Sequence, residues 1–193
     1  MRAWQTASPT SALFIRLALG PACLALAGCG RPAADSPTPP PSPAQAPWFA
    51  DITAQSGVAF VHQVALSGHY LFSESIGSGA AVIDFDNDGL MDLYFIHNVS
   101  PTHPATNRLF RQEAPGHFRD VTAGSGLDIA GYGNGLAVGD LNNDGLPELL
   151  ITEYDRLRLF LNLGGGKFRE MAAEAGLTNR QWCVAAACFD YDR

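Results

Sequence analysis

The feature that most constrains this fold is a repeated sequence element that first begins at Phe49. The element has the pattern Phe-x-Asp-x-Thr-x-x-Ser-Gly, recurs intact from Phe118 and returns in weaker form from Phe168. A second element, Gly-x-Gly followed by an Asp-rich run, comes after the first two copies and starts at Gly77 and Gly133. Because self-similarity at a regular period is typical of stacked structural units, this part of the chain is predicted to be a repeat array.

The Asp-rich runs open at Asp84, Asp140 and Asp190, which are separated by 56 and 50 residues. Units of about this length suit a four-stranded propeller blade. Short apolar or alternating runs between Gly, Asn and Pro predict strands, and no run has a sustained helical period. We therefore expect an all-β fold, an incomplete β-propeller of about two and a half blades. The predicted strands are Ala80–Ile83, Asp92–Ile96, Arg108–Gln112, Leu136–Val138, Glu148–Thr152 and Leu157–Leu161.

The beginning of the chain differs from the repeat array. The apolar run Leu17–Ala27 is too short to span a bilayer and follows a basic start, which is typical of a signal peptide. The run leads into the tetrapeptide Leu-Ala-Gly-Cys at Cys29, which resembles the lipobox of bacterial lipoproteins, in which the cysteine carries the lipid. The chain is predicted to divide into a lipoprotein signal peptide (1–28), the lipidated cysteine with a Pro-rich disordered linker (29–47), and propeller blades (48–193). A plain cleaved signal peptide with a chance cysteine is the alternative.

The Asp-rich runs have the donor pattern of a calcium site. In the first run, acidic loop 1 (84–92), carboxylates stand at positions 1, 3, 5 and 9, and Gly89 at position 6 permits the turn. Flexible sites made only of oxygen donors select Ca²⁺. Acidic loop 2 (140–148) has one carboxylate fewer and is expected to bind more weakly. The predicted ligands are Asp84, Asp86, Asp88, the carbonyl of Leu90, Asp92, Asp140, Asn142, Asp144, the carbonyl of Leu146, Glu148, and, in a third loop, Asp190 and Asp192.

Two other structures are compatible with Asp-rich runs of this length. An EF-hand needs a Glu at position 12 and helices on both sides, but position 12 is Phe95 in loop 1 and Ile151 in loop 2, and the flanks are predicted strands. Ordinary Asp/Asn/Gly turns without a metal are the second alternative. The repetition of the pattern in one register favours metal binding, because converging carboxylates repel each other without a counter-ion.

Taken together, the two elements resemble the FG-GAP/VCBS repeat, the blade unit of integrin α-chain propellers. The Phe-x-Asp-x-Thr-x-x-Ser-Gly element, with Glu74 shortly before the Gly-x-Gly, is similar to the cartilage-acidic-protein-like group, whose members often carry an ASPIC/UnbV domain further on. The resemblance implies a seven- or eight-bladed propeller that binds Ca²⁺ and is displayed outside the cytoplasm. The chain stops inside its third acidic loop, so we expect the gene to continue past Arg193 and this stretch alone to leave strand edges open.

The expected function is binding rather than catalysis. The net charge of −7 argues against a nucleic-acid partner, which needs a basic face, and no nucleophile elbow, phosphate loop or zinc motif is present. His97 and His103 are interpreted as solvated loop residues rather than a zinc pair. We expect an unidentified protein or glycan ligand and membrane attachment through the N-terminal lipid at the bacterial cell envelope, where Gly30 favours the outer membrane by resemblance to known lipoprotein sorting. The alternatives are the propeller of a calcium-dependent polysaccharide lyase or hydrolase, and a spacer for a further domain.

The lipobox hypothesis predicts the outcome of metabolic labelling. Expressed in a Gram-negative host, the protein should incorporate labelled fatty acid, and Cys29→Ala should abolish the label because the thiol is the acylated group. The measurement is autoradiography of the immunoprecipitated protein. Equal labelling of the variant and the parent protein would show that Cys29 is not the lipid attachment site.

Overall fold

The computed structural model describes residues 47–191, apart from 65, 67, 70, 71, 101 and 102. The predicted signal peptide, the Cys29 lipidation site, the linker up to residue 46 and the predicted ligand Asp192 lie outside the described residues and stay predictions. The compact unit that contains the repeat array begins at Pro47.

Two four-stranded antiparallel sheets make up most of the described chain, and in each of them the strands pair in sequence order. No helix of the described part is long and apolar enough to cross a lipid bilayer. The all-β, incomplete propeller predicted from the repeats is therefore confirmed, and each sheet is one blade. The elements are α1 (Thr53–Ser56), α2 (Phe72–Ser75), β1 (Ala80–Ile83), β2 (Asp92–Phe95), β3 (Arg108–Ala114) and β4 (His117–Asp120) of blade 1, and β5 (Gly133–Gly139), β6 (Glu148–Glu153), β7 (Leu157–Asn162) and β8 (Phe168–Glu170) of blade 2.

All six predicted strands are present, with small differences at their ends. Strand β5 starts at Gly133, three residues before the predicted start, and β3 extends to Ala114. The outer strands β4 and β8 were not predicted, because runs of four and three residues show no hydrophobic alternation. Each is held by antiparallel pairing with the strand before it, so backbone hydrogen bonding rather than side-chain pattern defines these two strands.

Successive inner strands approach each other at equivalent positions of the repeat. A Cβ placed on Gly79 would lie 3.3 Å from the Cα of Gly135, and a Cβ placed on Gly135 would lie 3.4 Å from the Cα of Ala185. The segment around Ala185 is held against blade 2, since Asn134 donates to the carbonyl of Cys183 at 3.2 Å. The same step from one inner strand to the next is the geometry of a ring of blades, and residues 183–188 occupy the place of a third inner strand.

The hydrophobic core lies between the two sheets. Burying an aromatic or large aliphatic side chain contributes about 1.5–3 kcal/mol, so this layer is the main source of blade-to-blade stability. Tyr94 is completely buried and keeps its hydroxyl satisfied, because it donates to the Leu127 carbonyl at 3.0 Å and accepts from Asn107 at 3.0 Å. The core comprises Ala81, Ile83, Phe85, Tyr94, Ile96, Leu109, Leu127, Leu149, Ile151, Phe160 and Phe168.

The Asp-x-Thr-x-x-Ser-Gly part of the repeat folds into a compact structure that we call the Ser-Gly turn. In the copy at 120–127, Asp120 accepts from the N–H of Thr122 at 2.9 Å, and the Ser125 hydroxyl donates to the Thr122 carbonyl at 2.7 Å and accepts from the N–H of Leu127 at 3.0 Å. The copy at 51–58 has the same three bonds, at 2.9, 3.0 and 3.1 Å. The Asp, Thr and Ser residues of the motif therefore make the same hydrogen bonds within one type of turn in both copies.

Each Ser-Gly turn packs against the outer strand of the next blade. A Cβ placed on Gly57 would lie 2.3 Å from the Phe118 carbonyl oxygen of blade 1, and one on Gly126 would lie 2.3 Å from the Phe168 carbonyl oxygen of blade 2. The N–H of Phe168 also donates to the Ser125 carbonyl at 2.7 Å. The motif glycine is thus required twice, for its positive φ and for this close backbone contact.

The fit at Gly126 predicts a stability difference between two glycine substitutions. Gly126 and Gly176 both have positive φ, 86° and 74°, but a Cβ on Gly176 meets nothing within 4 Å. Both alanine variants lose about 1–2 kcal/mol from the left-handed backbone, and Gly126→Ala loses more because of the clash with Phe168. Thermal unfolding of the two purified variants measures the difference. Equal midpoints would contradict the close packing of the turn on β8.

Candidate metal centre

Acidic loop 1 connects the inner strand β1 to β2 and brings three carboxylates together. One oxygen from each of Asp84, Asp86 and Asp88 lies within 4.8 Å of the others, with the first two side chains half-buried and the third exposed. These are the residues at positions 1, 3 and 5 of the predicted site. Their spacing allows one hard cation to be held by three carboxylates at once.

Backbone N–H groups shape this loop around its first residue. Asp84 accepts from the N–H of Asp88 at 3.0 Å and of Gly89 at 2.9 Å, and Asp88 accepts from the N–H of Leu90 at 2.8 Å. Gly89 has φ 85°, as the sequence predicted for position 6. Leu90 is thus held directly after the turn. Coordination of a metal by its carbonyl oxygen stays a prediction.

Acidic loop 2 adopts the same conformation. Asp140 accepts from the N–H of Asp144 at 3.1 Å and of Gly145 at 2.9 Å, and Asp144 accepts from the N–H of Leu146 at 2.8 Å. Asn142, at position 3, donates to the Asp144 carboxylate at 2.8 Å. The two loops, 56 residues apart in sequence, therefore have the same pattern of backbone hydrogen bonds to their first and fifth residues. Turns of unrelated sequence would not share this pattern.

Position 4 of both loops has a backbone feature that the sequence analysis missed. Asn87 and Asn143 have φ 58° and 60°, and within the described chain they are the two non-glycine residues with positive φ. Asn is among the residues that tolerate this left-handed conformation best. The shared Asn at position 4 was the signal from which this turn could have been predicted.

The carboxylates at position 9 brace the loops against the neighbouring strand. Asp92 is fully buried, and its two oxygens accept from the N–H of Phe85 at 3.1 Å and of Gln112 at 2.7 Å. Glu148 likewise accepts from the N–H of Leu141 at 2.7 Å. Asp92 and Glu148 were predicted as ligands; in the structure they hold the backbone of position 2, and their coordination of a metal stays a prediction.

Two effects of its environment raise the pKa of Asp92, and one lowers it. Burial raises the pKa of Asp92 to about 6, the hydrogen bonds from Gln112 and Phe85 lower it, and the nearby carboxylates of Asp86 and Asp88 raise it further. Removal from water outweighs the two hydrogen bonds. Burial is thus the main cause of the raised pKa of Asp92, and the neighbouring carboxylates add to it.

The two loops are joined through Asn162 of strand β7. Its side-chain N–H₂ group donates to the Phe85 carbonyl of loop 1 at 2.8 Å and to the Pro147 carbonyl of loop 2 at 3.2 Å. Asn162 is 2% exposed, so these bonds form away from water and are correspondingly strong. The acidic loops of adjacent blades are thus one connected structure.

A cation that the sequence analysis missed lies beside loop 1. Arg111 on strand β3 lies 3.6 Å from the Asp86 carboxylate, whose other oxygen is buried without a hydrogen-bond partner in the described chain. The strand register places Leu161 of blade 2 at the position of Arg111. Loop 2 has the neutral Asn142 where loop 1 has Asp86. The additional carboxylate of loop 1 is therefore partly neutralised by Arg111, and loop 2 has neither of these charges.

The remaining candidates are placed as follows. Asp190 is exposed at the start of the third loop, whose second predicted ligand, Asp192, lies outside the described residues.

His97 was predicted to be a solvated loop residue, and this prediction was wrong. The His97 side chain is 4% exposed and stacks on Phe60 at 4.7 Å, and its Nδ1 accepts from the N–H of Gln63 at 3.0 Å. Burial, with His62 nearby, lowers the pKa of His97 to about 4. His97 is therefore a neutral structural residue that ties the segment before β1 to blade 1.

The two sheets and the paired loops define a β-propeller repeat protein. The model of the FG-GAP-like repeat matches residues 84–151 and 140–193, more than half of the chain, and the chain belongs to this family. Cartilage acidic protein 1 of Xenopus tropicalis is 30% identical over 88 residues, which cover 44% of this chain and 13% of that protein. The resemblance to FG-GAP repeats and to the cartilage-acidic-protein-like group is thus supported, and the match covers a small part of that relative's length.

The different roles of positions 5 and 9 predict different costs in the absence of metal. With excess chelator, Asp92→Ala should destabilise the protein by about 2 kcal/mol, because it leaves the buried N–H of Phe85 and the partly buried N–H of Gln112 without acceptors. Asp88→Ala, an exposed change in the same loop, should cost much less under these conditions. Thermal unfolding in chelator measures both. Equal losses would mean that Asp92 does not brace the loop.

Proposed function

We propose that this protein is a calcium-stabilised, non-catalytic binding module that is lipid-anchored at the bacterial cell envelope. The observation that carries the proposal is the pair of acidic loops with one shared hydrogen-bond scaffold. Membership of the FG-GAP-like family, which is generally non-catalytic, supports a binding role. The anchor rests on the lipobox at Cys29 and the Pro-rich linker that follows it.

Calcium fits the donor set of the loops better than other metals do. Asp84, Asp86 and Asp88 offer carboxylate oxygens only, and loop 2 adds the amide oxygen of Asn142. Neither loop contains a cysteine or a histidine. Such sites suit hard cations, and calcium tolerates the irregular geometry of an exposed loop better than magnesium does. One carboxylate oxygen of Asp86 is buried without a hydrogen-bond partner in the described chain and is therefore available as a metal ligand.

The role of the metal would be structural. The loops lie where inner strands turn outward, and Asn162 joins two of them, so a cation in loop 1 would stiffen the contact between adjacent blades. The bound ion would neutralise converging carboxylates that otherwise repel each other. Ligand-binding surfaces on the blades would then be held in fixed relative positions, which lowers the entropic cost of binding.

Calcium should therefore raise the thermal midpoint of the purified protein. At a free concentration about a hundred times Kd, one site adds about 2.7 kcal/mol. Asp88→Ala should remove more of this gain than Asn142→Ala, because it removes both a ligand and a negative charge. Differential scanning fluorimetry with calcium and with excess chelator measures the gain. Identical melting curves in the two conditions would identify the loops as ordinary turns.

A further inference from the structure

A cleft beside acidic loop 1 contains an unusual concentration of positive charge. It has a volume of about 320 Å³ and lies between blade 1 and the turn that joins β7 to β8. Arg111, Arg119 and Lys167 line it, three of the twelve Lys and Arg residues in a chain of net charge −7. Val121 and Ala123 supply an apolar part of the lining.

The anionic partners inside the protein do not balance these cations. Arg111 lies 3.6 Å from Asp86 and 3.5 Å from Glu113, and Arg119 also pairs with Glu113. Lys167 donates to the carbonyl of Gly124 at 2.7 Å and has no ion pair in the described chain. Three cations thus face two carboxylates, and the Nε of Arg111 is buried without a hydrogen-bond partner among the described residues.

The glycine turn opposite the arginines adds backbone donors. Gly164, Gly165 and Gly166 all have positive φ, 75°, 60° and 73°, and the last two line the cleft. Within the described chain, the N–H groups of Gly165 and Gly166 have no hydrogen-bond acceptor. Backbone N–H groups that have no acceptor within the protein are available to an anion.

The equivalent turn of blade 1 lacks this property. The repeat aligns Gly165 with Pro115, which has no N–H group, and Lys167 with His117. The glycine-lysine turn is therefore a specialisation of blade 2 and not a requirement of the blade. It faces the arginines across the cleft between the two blades.

We propose that this cleft binds the carboxylate or sulfate group of an acidic sugar, held by Arg119, Lys167, Arg111 and the N–H groups of Gly165 and Gly166 in the glycine turn. Arginine and lysine form their strongest hydrogen bonds with oxyanions of this kind. The volume suits one sugar ring, and the apolar lining offers a surface for a ring face. This inference deepens the proposed binding function, on which it rests, by naming a ligand class.

The cleft and acidic loop 1 share Asp86. When a cation engages the Asp86 carboxylate, that carboxylate neutralises Arg111 less, so Arg111 interacts more strongly with an anion in the cleft. Calcium in loop 1 therefore strengthens the binding of the acidic sugar, and the sugar strengthens the binding of calcium by the same factor.

Isothermal titration calorimetry of the purified full chain tests the cleft. The probe is methyl β-glucuronide. Methyl β-glucoside, which has a hydroxymethyl group in place of the carboxylate, is the control, and glucose 6-sulfate distinguishes sulfate from carboxylate. Both acidic sugars, or one of them, should bind, and the glucoside should not. Lys167→Met and Arg119→Met should each weaken binding about tenfold, because each removes a charge-assisted hydrogen bond. Arg180→Met, an exposed arginine outside the cleft, is the matched control and should leave binding unchanged.

The same samples, titrated in calcium and in excess chelator, separate this inference from the proposed function. Thermal stabilisation by calcium without binding of either acidic sugar, or equal affinity in the Lys167 variant and the parent protein, overturns the cleft alone. Sugar binding in chelator without any effect of calcium on stability supports the cleft and overturns the calcium role. Equal sugar affinity with and without calcium, in a protein that calcium does stabilise, overturns the coupling through Asp86.

Discussion

The contact on which the array depends is the Ser-Gly turn lying against the outer strand of the following blade. At Gly126 the turn passes so close to Phe168 that no side chain fits, and a 2.7 Å hydrogen bond from the Phe168 N–H to Ser125 fixes the contact. The outer strands are too short to be stable alone and are covered on this side by the turn. The turn thus sets the distance between neighbouring blades at their outer strands. The approach of Gly79 to Gly135 sets this distance at the inner strands, and the hydrophobic core fills the space between the two contacts.

The acidic loops are built outward from this frame. Asp92 and Glu148 are buried, and each holds the N–H of the second loop residue, so the loop begins at a fixed point of the sheet. The residues at positions 1 and 5 then fold the turn through backbone N–H groups, which leaves their carboxylates close together at the surface. Repulsion among these carboxylates is the cost of the arrangement, and it explains why a cation is a natural part of the proposed function.

Much of this could be predicted from the sequence because repetition and hydrophobic pattern are local signals. The six inner and middle strands and the acidic positions of both loops follow from them. Strands β4 and β8 do not, since they are defined by pairing with a neighbouring strand. Arg111 could not be placed beside Asp86, because the register of two strands decides that contact, and the burial of His97 depends on Phe60, which lies 37 positions earlier in the chain. The glycine-lysine turn was visible in the sequence, but its opposition to Arg119 is a property of the assembled blades.

The order of elements along the chain means that the sequence unit and the sheet are out of phase. The unit that begins near Phe118 starts with β4, the outer strand of blade 1, crosses by the Ser-Gly turn, and continues with β5, β6 and β7 of blade 2. Duplication or loss of one unit in the gene would therefore leave the number of strands in each sheet unchanged, but one sheet would exchange its outer strand for the outer strand of another unit. Such exchange is tolerated only if outer strands are interchangeable. Phe118 and Phe168 satisfy that condition, because they pair at equivalent positions of the two sheets and each accepts the close approach of a Ser-Gly turn.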